Sequence, residues 1–156
     1  MSQLFEAIVQ DLQADGWPVL LVPNQTIAVT RFHGEHGQWE CQLHLCEEQR
    51  QIVFYSLCPI AVPADRRAAM AEFIIRANYG LVLGNLEMDL ENGEVRYKTS
   101  RDIESGALVE YLPPLLCANV LSLDHYLPGI VLVINGNVSP AEACAAVENA
   151  ALVLSS

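Results

Sequence analysis

The sequence predicts an α+β fold, an antiparallel β-sheet flanked by helices. A helical pattern opens the chain, runs with a two-residue period follow, and helical patterns return in the C-terminal third. Short connections between alternating runs indicate antiparallel neighbours, because parallel strands need long crossovers. The expected element order is α-β-β-β-β-α-β-β-α-α, within a single domain of residues 1–156.

The first helix and four strands are predicted over the N-terminal third. Leu4, Ile8, Val9 and Leu12 recur at helical spacing after Ser2, a capping residue, and predict a helix over residues 3–14. The alternating runs predict strands over Val19–Val22, Thr26–His33, Gln38–Cys46 and Gln51–Cys58.

The fourth of these strands is apolar on both faces. Val53, Tyr55 and Leu57 share one face. Ile52, Phe54 and Cys58 share the other. A strand that is apolar on both sides must be covered by another element or by a second subunit.

A second helix is predicted over residues 63–79. Pro63 suits its first turn, and Gly80 ends it. Its apolar stripe consists of Met70, Phe73, Ile74 and Ala77. Ile75 falls off this stripe and is therefore a candidate for an exposed apolar contact.

A β-hairpin is predicted next, from Leu81–Leu90 and Glu94–Arg101. Asn92-Gly93 predicts a two-residue type I′ turn, which requires positive φ at both positions. That turn places Leu90 opposite Val95. It directs the carboxylates of Glu87, Asp89, Glu91 and Glu94 to solvent, where a cation site is not expected.

The C-terminal third is predicted to be helical. Glu104–Leu127 is apolar at helical spacing, but Pro113-Pro114 should divide it into two pieces. Ser139-Pro140-Ala141-Glu142 is a capping box that begins a last helix extending to about Leu152, with Cys144, Val147 and Ala151 on one stripe.

Charge and composition exclude some classes of partner. Nineteen acidic and eight scattered basic residues give a net charge of −11, so nucleic acid and anionic membranes are not expected partners. The longest aliphatic run, Ile130–Ile134, is far shorter than a membrane span. The N-terminus resembles no targeting signal, which predicts a cytoplasmic protein.

The residues with ligand or nucleophile chemistry do not form a recognisable site. His33, His36, Cys41, His44 and Cys46 are the one cluster of zinc-type ligands, but Cys41 faces away from His44 and Cys46 in a strand. We expect neither a metal nor a cofactor. The alternative is a small-ligand- or metal-binding protein that uses His33, His36 and His44.

No catalytic residue is assigned. The sequence contains no nucleotide-binding or hydrolase motif. The five cysteines form no Cys-x-x-Cys pair, and Cys58 and Cys117 are interpreted as buried structural thiols.

Several segments resemble the YbjN-type bacterial domain family. They are Arg76–Leu81, Gly84–Asp89, Glu91–Tyr97, Leu123–Pro128 and Ser139–Ala143. The resemblance implies a bacterial protein with a type III secretion chaperone-like fold. Proteins of that fold are small and acidic, commonly dimerise and bind partner polypeptides without catalysis. The Pro113-Pro114 pair departs from the continuous helix that the family leads us to expect.

These observations predict a non-enzymatic protein-binding module, chaperone-like or a regulatory adaptor. The expected partner-binding residues are Ile52, Phe54 and Ile75, on the sheet and on helix 63–79. The expected partners are a polypeptide and a second copy of the chain.

Overall fold

The computed structural model describes residues 2–103 and 108–155. Its helices are α1 Gln3–Ala14, α2 Arg67–Asn78, α3 Leu108–Asn135 and α4 Pro140–Ser155, with a 3₁₀ turn at Ala64–Arg66 before α2. Its strands are β1 Leu20–Leu21, β2 Ile27–His33, β3 Gln38–Cys46, β4 Gln51–Leu57, β5 Asn85–Met88 and β6 Val95–Asp102. The predicted α+β class and element order are confirmed.

The six strands form one antiparallel sheet in the order β1-β2-β3-β4-β6-β5. Buried side chains alternate along β2, β3, β4 and β6 and share one face of the sheet, as in β3, where Trp39, Cys41, Leu43 and Leu45 are buried. Helix α3 lies on this face, since Thr99 Oγ1 donates to the Leu115 carbonyl 3.2 Å away. The fold therefore has two layers, with the core between the helices and one face of the sheet.

Local capping signals set the starts of α1 and α4. Phe5 N–H donates to Ser2 Oγ at 3.1 Å. At α4, Glu142 N–H donates to Ser139 Oγ at 3.1 Å, and Ser139 N–H donates to Glu142 Oε2 at 2.9 Å. The predicted capping box is confirmed, and Cys144 and Val147 of its stripe are buried. The side chain of Ala151 lies outside the described residues.

Helix α3 is continuous from Leu108 to Asn135, so the predicted division at Pro113-Pro114 is wrong. The prolines lie near the start of the helix, and buried side chains on both sides of them hold it against the sheet. These side chains are Leu112, Leu116, Val120 and Leu123. Tertiary packing thus outweighs the loss of two backbone donors. Residues 104–107 of the predicted helix lie outside the described residues.

The connection from β5 to β6 has six residues, so the predicted two-residue type I′ turn is wrong. Met88 pairs with Val95, and of Asn92 and Gly93 only Gly93 has positive φ. Gly93 is held by a neighbouring loop, because Val62 N–H donates to the Gly93 carbonyl at 2.9 Å. The register of the hairpin is therefore shifted by two residues from the predicted pairing. Because side chains alternate with a period of two, the paired residues keep their predicted faces of the sheet. Leu90, however, leaves the sheet and becomes 63% exposed.

Leu112–Asn135 of α3 is long and apolar enough to cross a membrane by length and composition. Half of the apolar stretch of this helix is buried inside the fold. The core helix of a soluble protein has the same properties, so the segment is weak evidence for a membrane span.

Candidate interaction surface

Ile52 and Phe54 do not form a free surface. Their side chains are 3% and 0% exposed, beneath the helical layer. Asn119 of α3 donates from Nδ2 to the Phe54 carbonyl at 2.8 Å, which fixes the helix over this part of β4. The expectation that these two residues bind a partner is therefore wrong for the fold described, because the continuous α3 covers them.

Ile75 is exposed as predicted. It is 71% exposed, whereas its neighbour Ile74 is 7% exposed on the core side of α2. Tyr79, one turn further on, is 96% exposed. In the loop that follows α2, Val82 and Leu83 are 93% and 63% exposed. We call Ile75, Tyr79, Val82 and Leu83 the α2 ridge.

A groove of about 400 Å³ lies between α2 and α4, beside the α2 ridge. It is lined by Ile75, Arg76, Tyr79, Ala141, Cys144, Ala145 and Glu148. Ala141 and Ala145 lie one helical turn apart, and their small side chains leave room for another element to approach α4 closely. The groove is therefore apolar along its length, with charge at the side.

Two residues next to the groove are held in their neutral forms. Burial, and secondarily Glu148, raises the pKa of the Cys144 thiol to about 11. Burial and Glu148 likewise raise the pKa of Tyr126 to about 12. Both side chains contact Glu148, with Cys144 Sγ at 3.4 Å and Tyr126 Oη at 3.5 Å from Oε1.

On the α2 side of the groove, Arg76 forms an ion pair within its own helix. Its Nε lies 3.0 Å from Glu72 Oε2. The charged residues that line the groove are therefore Glu148 and Arg76, of which Arg76 is paired with Glu72.

The loop that carries Val82 and Leu83 is fixed to the sheet at both ends. The Asn78 side chain at the end of α2 donates to the Leu86 carbonyl at 2.9 Å and accepts from Leu86 N–H at 2.8 Å. Tyr97 donates from its hydroxyl to the Leu83 carbonyl. Gly84 has φ +76, and a Cβ there would lie 2.5 Å from the Lys98 carbonyl oxygen. The backbone of the ridge is thus held in place while its side chains face solvent.

The three histidines are not brought together. His44 pairs with Ile27 at one end of β2, and His33 lies at the other end, six residues or roughly 20 Å away along the strand. His36 lies in the turn between β2 and β3, and it belongs with Glu35 and Asp124 to the one group of potential metal ligands among residues 2–103 and 108–155. Both Asp124 oxygens accept backbone N–H groups there, so the group has a structural role. The geometry therefore does not support a site built from all three histidines.

The cysteines differ in exposure. Burial raises the pKa of the Cys41 thiol to about 11, and burial also raises the pKa of Cys58. Cys117 is exposed on α3, so its interpretation as a buried thiol is wrong. Helical spacing placed Cys117 in an apolar run, but the side of α3 that bears it does not face the core.

Sequence reasoning identified Ile75 but missed the rest of the α2 ridge and the groove. The run from Leu81 was interpreted as strand, whereas β5 begins only at Asn85. Gly80 and Gly84 bracket the run and could have indicated a loop. No pattern in the sequence indicates that Ala141 and Ala145 face α2.

Comparisons with known proteins identify the family. The YbjN family model, described as "Putative bacterial sensory transduction regulator", matches residues 5–112. The crystal structure of YbjN from E. coli, described as "a putative transcription regulator", superposes with a TM-score of 0.58 at 12% identity, over 85% of this chain and 90% of that one. This similarity shows a shared fold. Comparison with curated protein sequences gives no match. Since the family model covers more than half of the chain, the protein belongs to the YbjN family.

Proposed function

We propose that this protein is a non-enzymatic regulatory adaptor with a chaperone-like role, and that it binds a polypeptide partner in the α2–α4 groove. The observation that carries the proposal is the α2 ridge, where four apolar side chains are between 63% and 96% exposed on a fixed backbone. Soluble proteins that expose contiguous apolar side chains commonly use them for binding. The family description as a sensory transduction regulator supports a regulatory role.

The partner segment that best fits the groove is an amphipathic helix. A helix presents one apolar stripe, and the groove between α2 and α4 offers an apolar channel of matching form. Ala141 and Ala145 allow such a helix to pack closely, and Ile75 and Tyr79 provide the large side chains that dominate binding energy.

The polar face of the partner helix should carry basic residues. Glu148 is exposed at the groove, Arg76 is already paired with Glu72, and the chain has a net charge of −11. Long-range attraction accelerates the encounter with a basic partner, while apolar contact determines how long the complex lasts. The affinity should therefore depend only modestly on salt.

The proposed place of action is the bacterial cytoplasm. All five cysteines are free thiols, and unpaired thiols persist in a reducing compartment. The raised pKa values of Cys41 and Cys144 also support a non-enzymatic role, because neutral buried thiols are poor nucleophiles.

Capture from a bacterial host lysate tests the groove. Wild type, Ile75→Glu and Leu121→Glu are compared after circular dichroism has shown that all three are folded. Leu121 is a matched control, because it is 60% exposed on a helix but does not line the groove. We expect Ile75→Glu to lose proteins that wild type and Leu121→Glu both retain. An identical set of proteins on all three would contradict the proposal, as would turnover of a small molecule that a single His or Cys substitution abolishes.

A further inference from the structure

A second cavity, of about 790 Å³, lies beside the turn that joins β1 to β2. It is lined by residues 21–27, around that turn, and by residues 44–46 at the end of β3. Its volume is about twice that of the α2–α4 groove and falls within the range of roughly 300–1,000 Å³ that small-molecule sites occupy. We call it the turn cavity.

The wall of the turn cavity is held in place by hydrogen bonds within the turn and to β3. Val22 N–H donates to the Ile27 carbonyl at 3.1 Å, and Gln25 N–H donates to the Val22 carbonyl at 3.2 Å. Thr26 Oγ1 donates to the Leu45 carbonyl at 2.7 Å, and Leu45 N–H donates to the Thr26 carbonyl at 2.9 Å. The wall is therefore organised before a ligand arrives, which reduces the entropy lost on binding.

The lining of the turn cavity includes no Asp, Glu, Lys or Arg among the described residues. Val22 and Ile27 are half-buried in it and offer apolar contact. A charged ligand would lose hydration here without gaining an ion pair, whereas an uncharged ligand bears no such cost. The lining therefore suits an uncharged molecule with an apolar body.

The His44 imidazole has a defined tautomer. Gln42 Nε2 donates to Glu40 Oε1 at 3.1 Å, so the Gln42 carbonyl oxygen is the atom that lies 3.0 Å from His44 Nε2. A carbonyl oxygen can only accept, so Nε2 carries the proton and Nδ1 keeps its lone pair. No described residue forms a hydrogen bond with Nδ1. The two nitrogens lie on opposite sides of the ring, so Nδ1 is directed away from Gln42, which does not line the cavity.

The surroundings of His44 keep its ring neutral and fixed. Burial, and secondarily the charge of Arg96, lowers the pKa of His44 from its usual value of 6.5. The Tyr55 ring packs edge-on against the imidazole, with the ring centroids 5.3 Å apart. His44 therefore provides the turn cavity with an unpaired hydrogen-bond acceptor at pH 7. His33 and His36 do not line this cavity.

We propose that the turn cavity binds an uncharged small molecule through a hydrogen bond from an N–H or O–H group of that molecule to His44 Nδ1. The apolar body of the ligand lies against Val22 and Ile27. The turn cavity and the α2–α4 groove share no lining residue, so this inference and the proposed function can each fail alone.

Three indoles test the chemistry of the turn cavity. Indole is uncharged and has an N–H donor, 1-methylindole lacks the donor, and indole-3-carboxylate adds a negative charge. Titrations followed by two-dimensional amide NMR spectra give the dissociation constant and the residues whose signals move. We expect indole to shift the signals of residues 21–27 and 44–46. Indole should bind at least about tenfold more tightly than either relative.

Two substitutions in the cavity have matched controls outside it. His44→Phe keeps a ring but removes the acceptor, so it should weaken indole at least about tenfold and leave 1-methylindole unchanged. Cys46→Trp fills the cavity and should abolish binding of indole. His33→Phe and Cys117→Trp alter exposed residues outside the cavity and should bind indole as wild type does. The same spectra show whether each variant is folded.

Ile75→Glu separates this inference from the proposed function, because Ile75 lines only the α2–α4 groove. It should leave the affinity for indole unchanged. The inference would be overturned by indole that shifts none of the cavity signals, by equal affinities for indole and 1-methylindole, or by equal losses in His44→Phe and His33→Phe.

Discussion

Two hydrogen bonds connect Asp124 of α3 to His36 of the β2–β3 turn. His36 N–H donates to Asp124 Oδ1 at 2.8 Å, and His36 Nδ1 lies 2.9 Å from the Asp124 carbonyl oxygen. The other carboxylate oxygen accepts from Glu35 N–H at 2.9 Å. A Cβ at Gly34 would lie 2.5 Å from Oδ1, so the turn can approach the carboxylate only with glycine there. One side chain thereby connects the helical layer to the turn between two strands.

Replacing Asp124 with alanine should destabilise the protein by about 2 kcal/mol, because two hydrogen bonds from backbone N–H groups to a charged group are lost. Urea unfolding followed by circular dichroism measures the change. Glu40→Ala is the control, since Glu40 is an exposed carboxylate on β3 whose Oε1 accepts one hydrogen bond, from Gln42 Nε2 at 3.1 Å. Equal unfolding midpoints for Asp124→Ala and wild type would contradict the structural role of this contact.

Gly93→Val should destabilise the protein by about 2 kcal/mol or more. Positive φ is unfavourable for a β-branched residue, and a Cβ at Gly93 would lie 2.1 Å from the Val62 carbonyl oxygen. Thermal melts of Gly93→Val and Gly80→Val provide the comparison, because a Cβ at Gly80 would meet no atom within 4 Å. The description of the turn is wrong if the two variants melt at the same temperature.

Asn78→Ala should lower stability by roughly 1–2 kcal/mol and promote aggregation on warming. The Asn78 amide occupies both backbone groups of Leu86 on β5, the edge strand of the sheet, and thereby prevents another chain from pairing there. Turbidity during heating and unfolding in urea measure the two effects. Asn85→Ala should be milder, since the hydrogen bond of Asn85 to the Leu86 carbonyl is longer, at 3.3 Å. A larger effect at Asn85 would count against this role of Asn78.

Alkaline pH should destabilise the protein partly through Cys41. Burial raises the pKa of its thiol from 9.0 to about 11 in the folded protein, so the unfolded chain releases this proton first. The contribution of Cys41 to stability is complete below pH 9 and is lost as the pH rises towards 11. Unfolding measured across this range should show a shallower decline for Cys41→Ala than for wild type. Parallel pH profiles would contradict the burial of this thiol.

Local chemistry made much of the fold predictable. Ser2 and the Ser139–Glu142 capping box determine where α1 and α4 begin, because the side chain and the backbone group that it caps are three residues apart. The two-residue period also determined which β3 side chains share a face. Such features depend on neighbours in the chain, and the sequence contains them directly.

The candidate surface was less predictable, because burial depends on distant elements. Alternation in β4 separated Ile52 and Phe54 from Val53 and Tyr55, but only the placement of α3 decided which pair is covered. Packing against the sheet likewise kept α3 continuous through its prolines, and contact with Val62 shaped the turn at Gly93. The sequence by itself determined which residues share a face, since that follows from backbone geometry. The tertiary structure decided which faces are buried, since a face is buried only where an element from elsewhere in the chain packs on it.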